Sequence, residues 1–168
     1  MSSNRGEAKK HNERRVVITG VGLVTPVGVG TRAAWDALLA GKSGIGPLTK
    51  FDPARYASRI AGEVRGFDPL EFIDRKESRK MDPFIRYAVA AAEFAVRDAE
   101  IPAGLLSSAR CGTYIGSGIG GIGAIEEWHA VLLEKGPDRV SPFFLVATII
   151  NEASGQISIR YGARGPNS

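Results

Sequence analysis

The succession of periodicities along the chain predicts an α/β protein with a mixed or parallel sheet. Three observations carry that expectation. The run Arg15-Val16-Val17-Ile18-Thr19 is β-branched and closed by Gly20, which reads as a buried strand. Two cap-plus-proline pairs, Asp82-Pro83 and Ser141-Pro142, open segments with apolar residues at helical spacing. Glycine-rich turns, Gly20 to Gly28 and Gly116 to Gly121, each link a strand candidate to a helix candidate.

The elements follow in order. After the first glycine loop, Thr31 is placed to cap a helix over Arg32–Ala40, with Gly41 at its stop. Residues 42–81 are rich in Gly, Pro and charge, with Ile60 to Val64 alternating as an edge strand. Asp74 to Lys80 holds a basic cluster, Arg75, Lys76, Arg79 and Lys80. From Asp82-Pro83, the positions Ile85, Ala88, Val89, Ala92, Ala95, Val96 and Ala99 predict a helix that Pro102 ends. Gly112 to Gly116 is the next strand, and a helix follows from about Ile122 to Leu133. Ser141-Pro142 starts a helix that is apolar on all sides through Ile150 and Ala153, capped by Gly162. Such a helix belongs in a core or at an oligomer interface. Residues 163–168 read as a turn.

Composition narrows the class. The chain has 168 residues, 43% apolar and 24% charged, which suits one globular domain and excludes a disordered polymer. No apolar run reaches the ~18–20 residues of a membrane span. The net charge is +4, but residues 1–15 carry +3 of it. A nucleic-acid reading built on whole-chain charge would rest on the tail. Residues 1–14 read as a disordered basic tail. They lack the apolar stretch of a secretory signal. With a single cysteine, Cys111, a disulfide framework is excluded, and the cytoplasm is the expected compartment.

The motifs have plain readings beside the functional ones. Gly116, Gly118 and Gly121 fit G-x-G-x-x-G between a strand and a helix, the geometry that lets a pyrophosphate approach a helix N-terminus. The acidic residue expected about 20 positions on is missing, because Asp138 sits in the turn Gly136-Pro137-Asp138-Arg139. A dinucleotide-binding domain is therefore the weaker alternative. Cys111 reads as a small buried hydrophobe. His129 reads as a helix-face residue beside Glu126, Glu127 and Trp128, and His11 lies in the tail. No histidine pair, adjacent nucleophile or metal-ligand spacing assembles a catalytic group, and no cofactor or metal is expected. The basic cluster suits an acidic partner, and it lacks the interleaved aromatics of a single-strand binder.

Five segments in order resemble the β-ketoacyl-acyl carrier protein synthases, the elongating condensing enzymes of bacterial fatty-acid synthesis. They are Arg15 to Gly22 with Thr25-Pro26-Val27-Gly28; Arg75 to Phe84; Ile115 to Gly121; Ser141-Pro142-Phe143-Phe144; and Arg160 to Asn167. The resemblance implies a thiolase-like layered α-β-α-β-α fold. It implies that residues 15–168 are its N-terminal half, of βαβαβαββ type, ordinarily in a homodimer. It places the nucleophilic cysteine a few residues after a Gly-Pro like Gly165-Pro166, and two histidines and a lysine in the second half. No catalytic residue is thus expected in this chain, and the chain alone is expected to be inactive. By the same resemblance Ile119, Leu145 and Thr148 line the acyl pocket. Lys76, Arg79 and Lys80 meet acyl carrier protein, and Arg139 matches half of a second basic pair whose other half is Asp138. Acyl and malonyl thioesters are the implied substrates. A chain-length partner subunit without the cysteine is the other alternative. Glu152 stands where relatives have an apolar residue, which requires a partner or solvent.

Overall fold

The computed structural model describes residues 15–168; the expected tail over 1–14, with His11, lies outside the described residues. Seven helices and two small hairpins are described, joined by irregular loops. The core forms where α3 (Pro83–Asp98) packs on α7 (Glu152–Tyr161). Ile85, Val89 and Ala90 of α3 bury against Ala153 and Ile157 of α7, with Phe72, Ile73 and Met81 closing one side. The alanines let the two backbones approach, and each large side chain buried here contributes about 1.5–3 kcal/mol. Phe72 stacks on Phe67 at 5.9 Å and meets Phe94 edge-on at 5.2 Å, which extends the core to the far end of α3.

α3 is the element the local sequence specifies best. The Asp82 side chain accepts from the Phe84 N–H, Pro83 occupies the first turn, and apolar residues recur on one face. The helix stops at Asp98, before the expected Pro102, and Glu100 takes a left-handed turn at φ 50°.

The run Val16 to Ile18 is extended, but it is not a buried strand. Val16 is 94% exposed and Ile18 86%. A β-branched run becomes a strand only beside another strand that takes its hydrogen bonds, and none lies beside it among the described residues. The segment is instead tied to α3 at its C-terminal end. Gly22 passes so close that a Cβ there would lie 1.9 Å from the Ala91 carbonyl oxygen. The Val21 N–H donates to Asp98 Oδ2 at 2.8 Å.

The following glycine loop holds the hairpin β1 (Val24–Thr25) and β2 (Gly28–Val29). α1 (Thr31–Leu39) begins one residue earlier than expected, with Gly30 at its N-cap. Thr31 does not cap it, because its hydroxyl donates to the Val21 carbonyl at 2.6 Å. β3 (Ile45–Pro47) pairs antiparallel with β4 (Ile60–Gly62), so the edge strand expected at 60–64 is present but shorter. α2 (Arg75–Ser78) is a single turn capped by Asp74, and α4 (Ala103–Leu106) is a short helix the pattern did not predict.

The strand expected at 112–116 pairs with the chain's last residues. The Thr113 N–H donates to Pro166 O (2.9 Å), the Ser168 N–H to Thr113 O (3.0 Å) and the Ile115 N–H to Ser168 O (2.9 Å). Residues 166–168 are thus extended and form an isolated parallel bridge at Thr113 and Asn167, rather than a turn. α5 (Ile122–Lys135) matches its prediction. The long apolar helix after Pro142 is two helices, α6 (Phe144–Thr148) and α7, separated by Ile149 to Asn151. Ile149 is extended, at ψ 141°. The break puts Glu152 in the first turn of α7, half-buried rather than mid-helix, where a carboxylate suits the helix dipole.

Candidate functional site

Three neighbourhoods carry the residues that the sequence points to. The first is basic. Lys76 and Arg79 are exposed on and after α2. Lys80 is engaged within the chain: its Nζ bonds Glu77 Oε1 at 2.6 Å and lies 4.9 Å from the centre of the Phe143 ring. Arg79 and Lys80 open onto a groove of 640 Å³ that Lys50, Arg86, Phe51, Ile122 and Trp128 also line. Lys50 and Arg86 do not stand out in the sequence, because nothing local brings position 50 or 86 to position 80. The Arg86 Nε is buried and without a hydrogen-bond partner among the described residues. Arg139 lies in a short turn, Pro137–Arg139, beside Trp128, Val131 and Lys135. Trp128 lines both recesses, so Arg139 and the first cluster flank one aromatic side chain.

Glu63 fixes one wall of that groove. Its carboxylate, 6% exposed, accepts from the Thr49 N–H and hydroxyl and from the Lys50 N–H. The Thr49 bonds above all hold its pKa below the usual carboxylate value, with Lys50 and Arg65 assisting against burial. The backbone at Thr49 and Lys50 is held in place by this clamp.

The second neighbourhood joins the glycine loop to α6. The Gly121 N–H donates to Thr148 O at 3.0 Å, and the Gly120 N–H to Ser117 Oγ at 3.0 Å. These two amides are engaged inside the chain. Ile119 and Leu145 are 62% and 63% exposed, whereas Thr148 is buried and its hydroxyl returns to Phe144 O at 3.0 Å. The loop bearing Ile119 and the helix bearing Leu145 and Thr148 are adjacent, and the first two side chains present an open apolar surface.

The third is the exit at Gly165-Pro166-Asn167-Ser168, laid between residues 113–115 and α7. Cys111 is half-buried, and its carbonyl accepts from the Gly165 N–H at 2.8 Å. His129 stands exposed on α5. Among the described residues, no His/Cys/Asp/Glu group of three or more converges, and no helix is long and apolar enough to cross a membrane.

The mixed α/β elements superpose on solved ketosynthase structures, which makes this a ketosynthase-type domain. The chain belongs to the β-ketoacyl synthase family: the family's N-terminal domain, "Beta-ketoacyl synthase, N-terminal domain", matches residues 13–168. It is 47% identical over 156 residues to 3-oxoacyl-[acyl-carrier-protein] synthase 2 of Vibrio cholerae, covering 93% of this chain and 38% of that protein. The Synechocystis protein of the same name is 44% identical over the same shares. Among solved structures, the ishigamide ketosynthase/chain length factor superposes with a TM-score of 0.83 at 29% identity, over 92% of this chain and 39% of that one. A type II polyketide ketosynthase in complex with its acyl-carrier protein superposes at 0.72 and 27% identity, over 87% and 39%. The chain therefore spans well under half the length of the relatives it matches.

Proposed function

We propose that this chain is the N-terminal half of a decarboxylative condensing enzyme of fatty-acid elongation. Residues 15–168 form that half, 1–14 form a basic leader, and the whole acts as a cytoplasmic homodimer. In the complete enzyme a cysteine thiolate displaces the carrier-protein thiol and takes the acyl chain as a thioester. Malonyl-carrier protein then loses carbon dioxide. The resulting carbanion attacks the thioester carbonyl, expels the thiolate and lengthens the chain by two carbons. Histidines beyond this chain stabilise the oxyanions. The chain alone supplies the acyl-pocket residues Ile119, Leu145 and Thr148 and the docking cations Lys76, Arg79, Lys80 and Arg139, and is inactive by itself.

The observation that carries this reading is 47% identity to a 3-oxoacyl-[acyl-carrier-protein] synthase 2 across 93% of the chain. The exposed cations Lys76 and Arg79 support docking, since rim cations steer an acidic partner; the groove beside them is of mixed charge, with Asp82, Glu126 and Glu127 facing Lys50, Arg79, Lys80 and Arg86. The test is condensation of acyl- with malonyl-carrier protein by the full-length protein and by residues 1–168. Activity is expected only in the former. The double reversal Lys76→Glu/Arg79→Glu is expected to weaken carrier binding about tenfold at low salt and much less at 1 M, where the Debye length is ~3 Å. A salt-insensitive affinity, or turnover by the short chain, would refute the proposal. The chain-length-partner reading has one support, the solved ketosynthase/chain length factor. Absence of a cysteine shortly after Ser168 would favour it.

A further inference from the structure

We infer that Asn167 is a positioning residue, which locks the register of the strand entered at Pro166 and thereby fixes where the reactive sulfur beyond it comes to lie. The inference rests on the condensing-enzyme reading for the sulfur; the register lock itself stands on geometry.

The Asn167 carboxamide has two donor hydrogens and one acceptor oxygen, and all face α7. Its Oδ1 lies 2.8 Å from Ser154 Oγ, whose single hydrogen it shares with Asn151 O at 2.8 Å, and its Nδ2 donates to Ser154 O at 3.1 Å and to Ser158 Oγ. Ser158 Oγ donates in turn to Thr113 Oγ1 at 3.0 Å. A single side chain so joins its own strand, the parallel neighbour at Thr113 and the helix at their back. Ser154 is fully buried, and the exposed Asn167 side chain is the group that reaches its backbone carbonyl from the strand side.

The sequence around Asn167 forbids other registers. A slip of one residue offers Pro166, which has no donor, or Ser168, whose side chain is one amide shorter. It would also turn every side chain to the opposite face. The backbone clearances agree. A Cβ at Gly165 would lie 2.5 Å from Cys111 O, and one at Gly112 2.7 Å from Pro166 O. Each glycine must face its present neighbour. The chain leaves Ser168 with direction and parity set, and displacements of about 1 Å at a reacting atom lower rates about 100-fold.

The test uses the full-length synthase. Asn167→Ala is expected to lower kcat about 10–100-fold with KM for acyl-carrier protein within about twofold. Amide exchange at Thr113, Ile115 and Ser168 should accelerate while the rest of the core stays protected. Asn167→Asp lacks both donors when ionised and regains one when protonated. Its kcat, relative to wild type, is therefore expected to rise as pH falls from about 6 towards 4, where an ordinary aspartate protonates, a recovery that loss of packing alone would not give. An Asn167→Ala enzyme with wild-type kcat, unchanged exchange at those three amides, or an Asp variant with no relative recovery would overturn the inference. If the wild-type full-length protein does not condense, the functional reading fails instead, and the exchange rates alone decide the register lock.

Discussion

Glu93 gathers polar contacts from three side chains on two helices. Its Oε1 accepts from Arg97 Nε at 2.9 Å. Its Oε2 accepts from the Tyr161 hydroxyl at 2.7 Å and from Arg160 Nη2 at 3.2 Å. Arg160 continues to Phe72 O at 2.8 Å, so the cluster ties α3, α7 and the loop before α2 together. Burial would raise the Glu93 pKa, but the bonds from Tyr161 and Arg160 and the charges of both arginines outweigh it, and it lies below the usual value. Tyr161 moves the other way: burial first, then the bond to Glu93 and its charge, push it up to about 12. A depressed carboxylate gives stability that is full above its ordinary value of 4.5 and lost as pH falls through the native one. A raised phenol gives stability that is full below 10.0 and lost as pH climbs towards about 12. Glu93→Gln is expected to cost about 1.5–3 kcal/mol at neutral pH and to flatten both limbs of a urea-midpoint-against-pH curve. Unchanged limbs would remove Glu93 as their source. The cluster is not legible in the sequence, since Glu93 and Tyr161 are 68 residues apart and no periodicity links them. For the same reason Asn167 enters the sequence reading only within a family resemblance.

Helix starts were legible because they are local chemistry. Asp82-Pro83 predicted α3, and the structure adds a second duty that the sequence hides. Asp82 Oδ1 accepts from the Phe84 N–H and Oδ2 from the Ala124 N–H, both at 3.3 Å, so one carboxylate serves the first turns of α3 and α5. Asp82→Ala is expected to destabilise the domain by about 1–2 kcal/mol and to raise amide exchange at Ala124, a site 42 residues away. Asp82→Asn should recover the α3 cap but not the α5 bond, since its amide nitrogen cannot accept. Equal exchange at Ala124 in all three proteins would disprove the shared cap. Ser141-Pro142 misled in an instructive way. Ser141 Oγ accepts from the Phe143 N–H at 3.1 Å, but this closes a turn ahead of the helix: α6 starts at Phe144, with Phe143 at its N-cap and no side-chain cap. The apolar run then bends at Ile149, because Gly120 and Gly121 seat their loop on the last turn of α6. Strand identity was the least legible. Val16 to Ile18 has the right residues, but pairing is a property of two segments, as Thr113 and Asn167 show in the positive sense.

At the scale of the whole molecule, exposed apolar surface sets the behaviour of the chain. α5 buries none of its residues completely, and Leu145, Ile149, Ile150 and Ile159 face outward along α6 and α7. Val16 to Ile18 adds an apolar run whose backbone has no strand beside it among the described residues. Patches of this kind mark surfaces that other polypeptide covers, and an unpaired β-branched edge recruits strands from other copies. The apolar run from Phe143 to Ile150 is visible in the sequence, but its break into two helices and its exposure are not; which segments cover it depends on chain contacts that no local pattern encodes. The chain is 38% of the length of its Vibrio relative, and the condensing-enzyme proposal assigns the covering surface to the remainder and to a second subunit. Residues 1–168 in isolation are then expected to self-associate in light scattering and to bind 8-anilinonaphthalene-1-sulfonate, whereas the full-length protein should form a discrete dimer with little dye binding. Val17→Lys is expected to reduce association through the strand edge. Leu145→Lys should reduce it through α6, and the two effects should add because the surfaces are separate. A monomeric, dye-negative short chain would mean that these side chains are at home in water as they stand, and the covering half would lose its physical necessity.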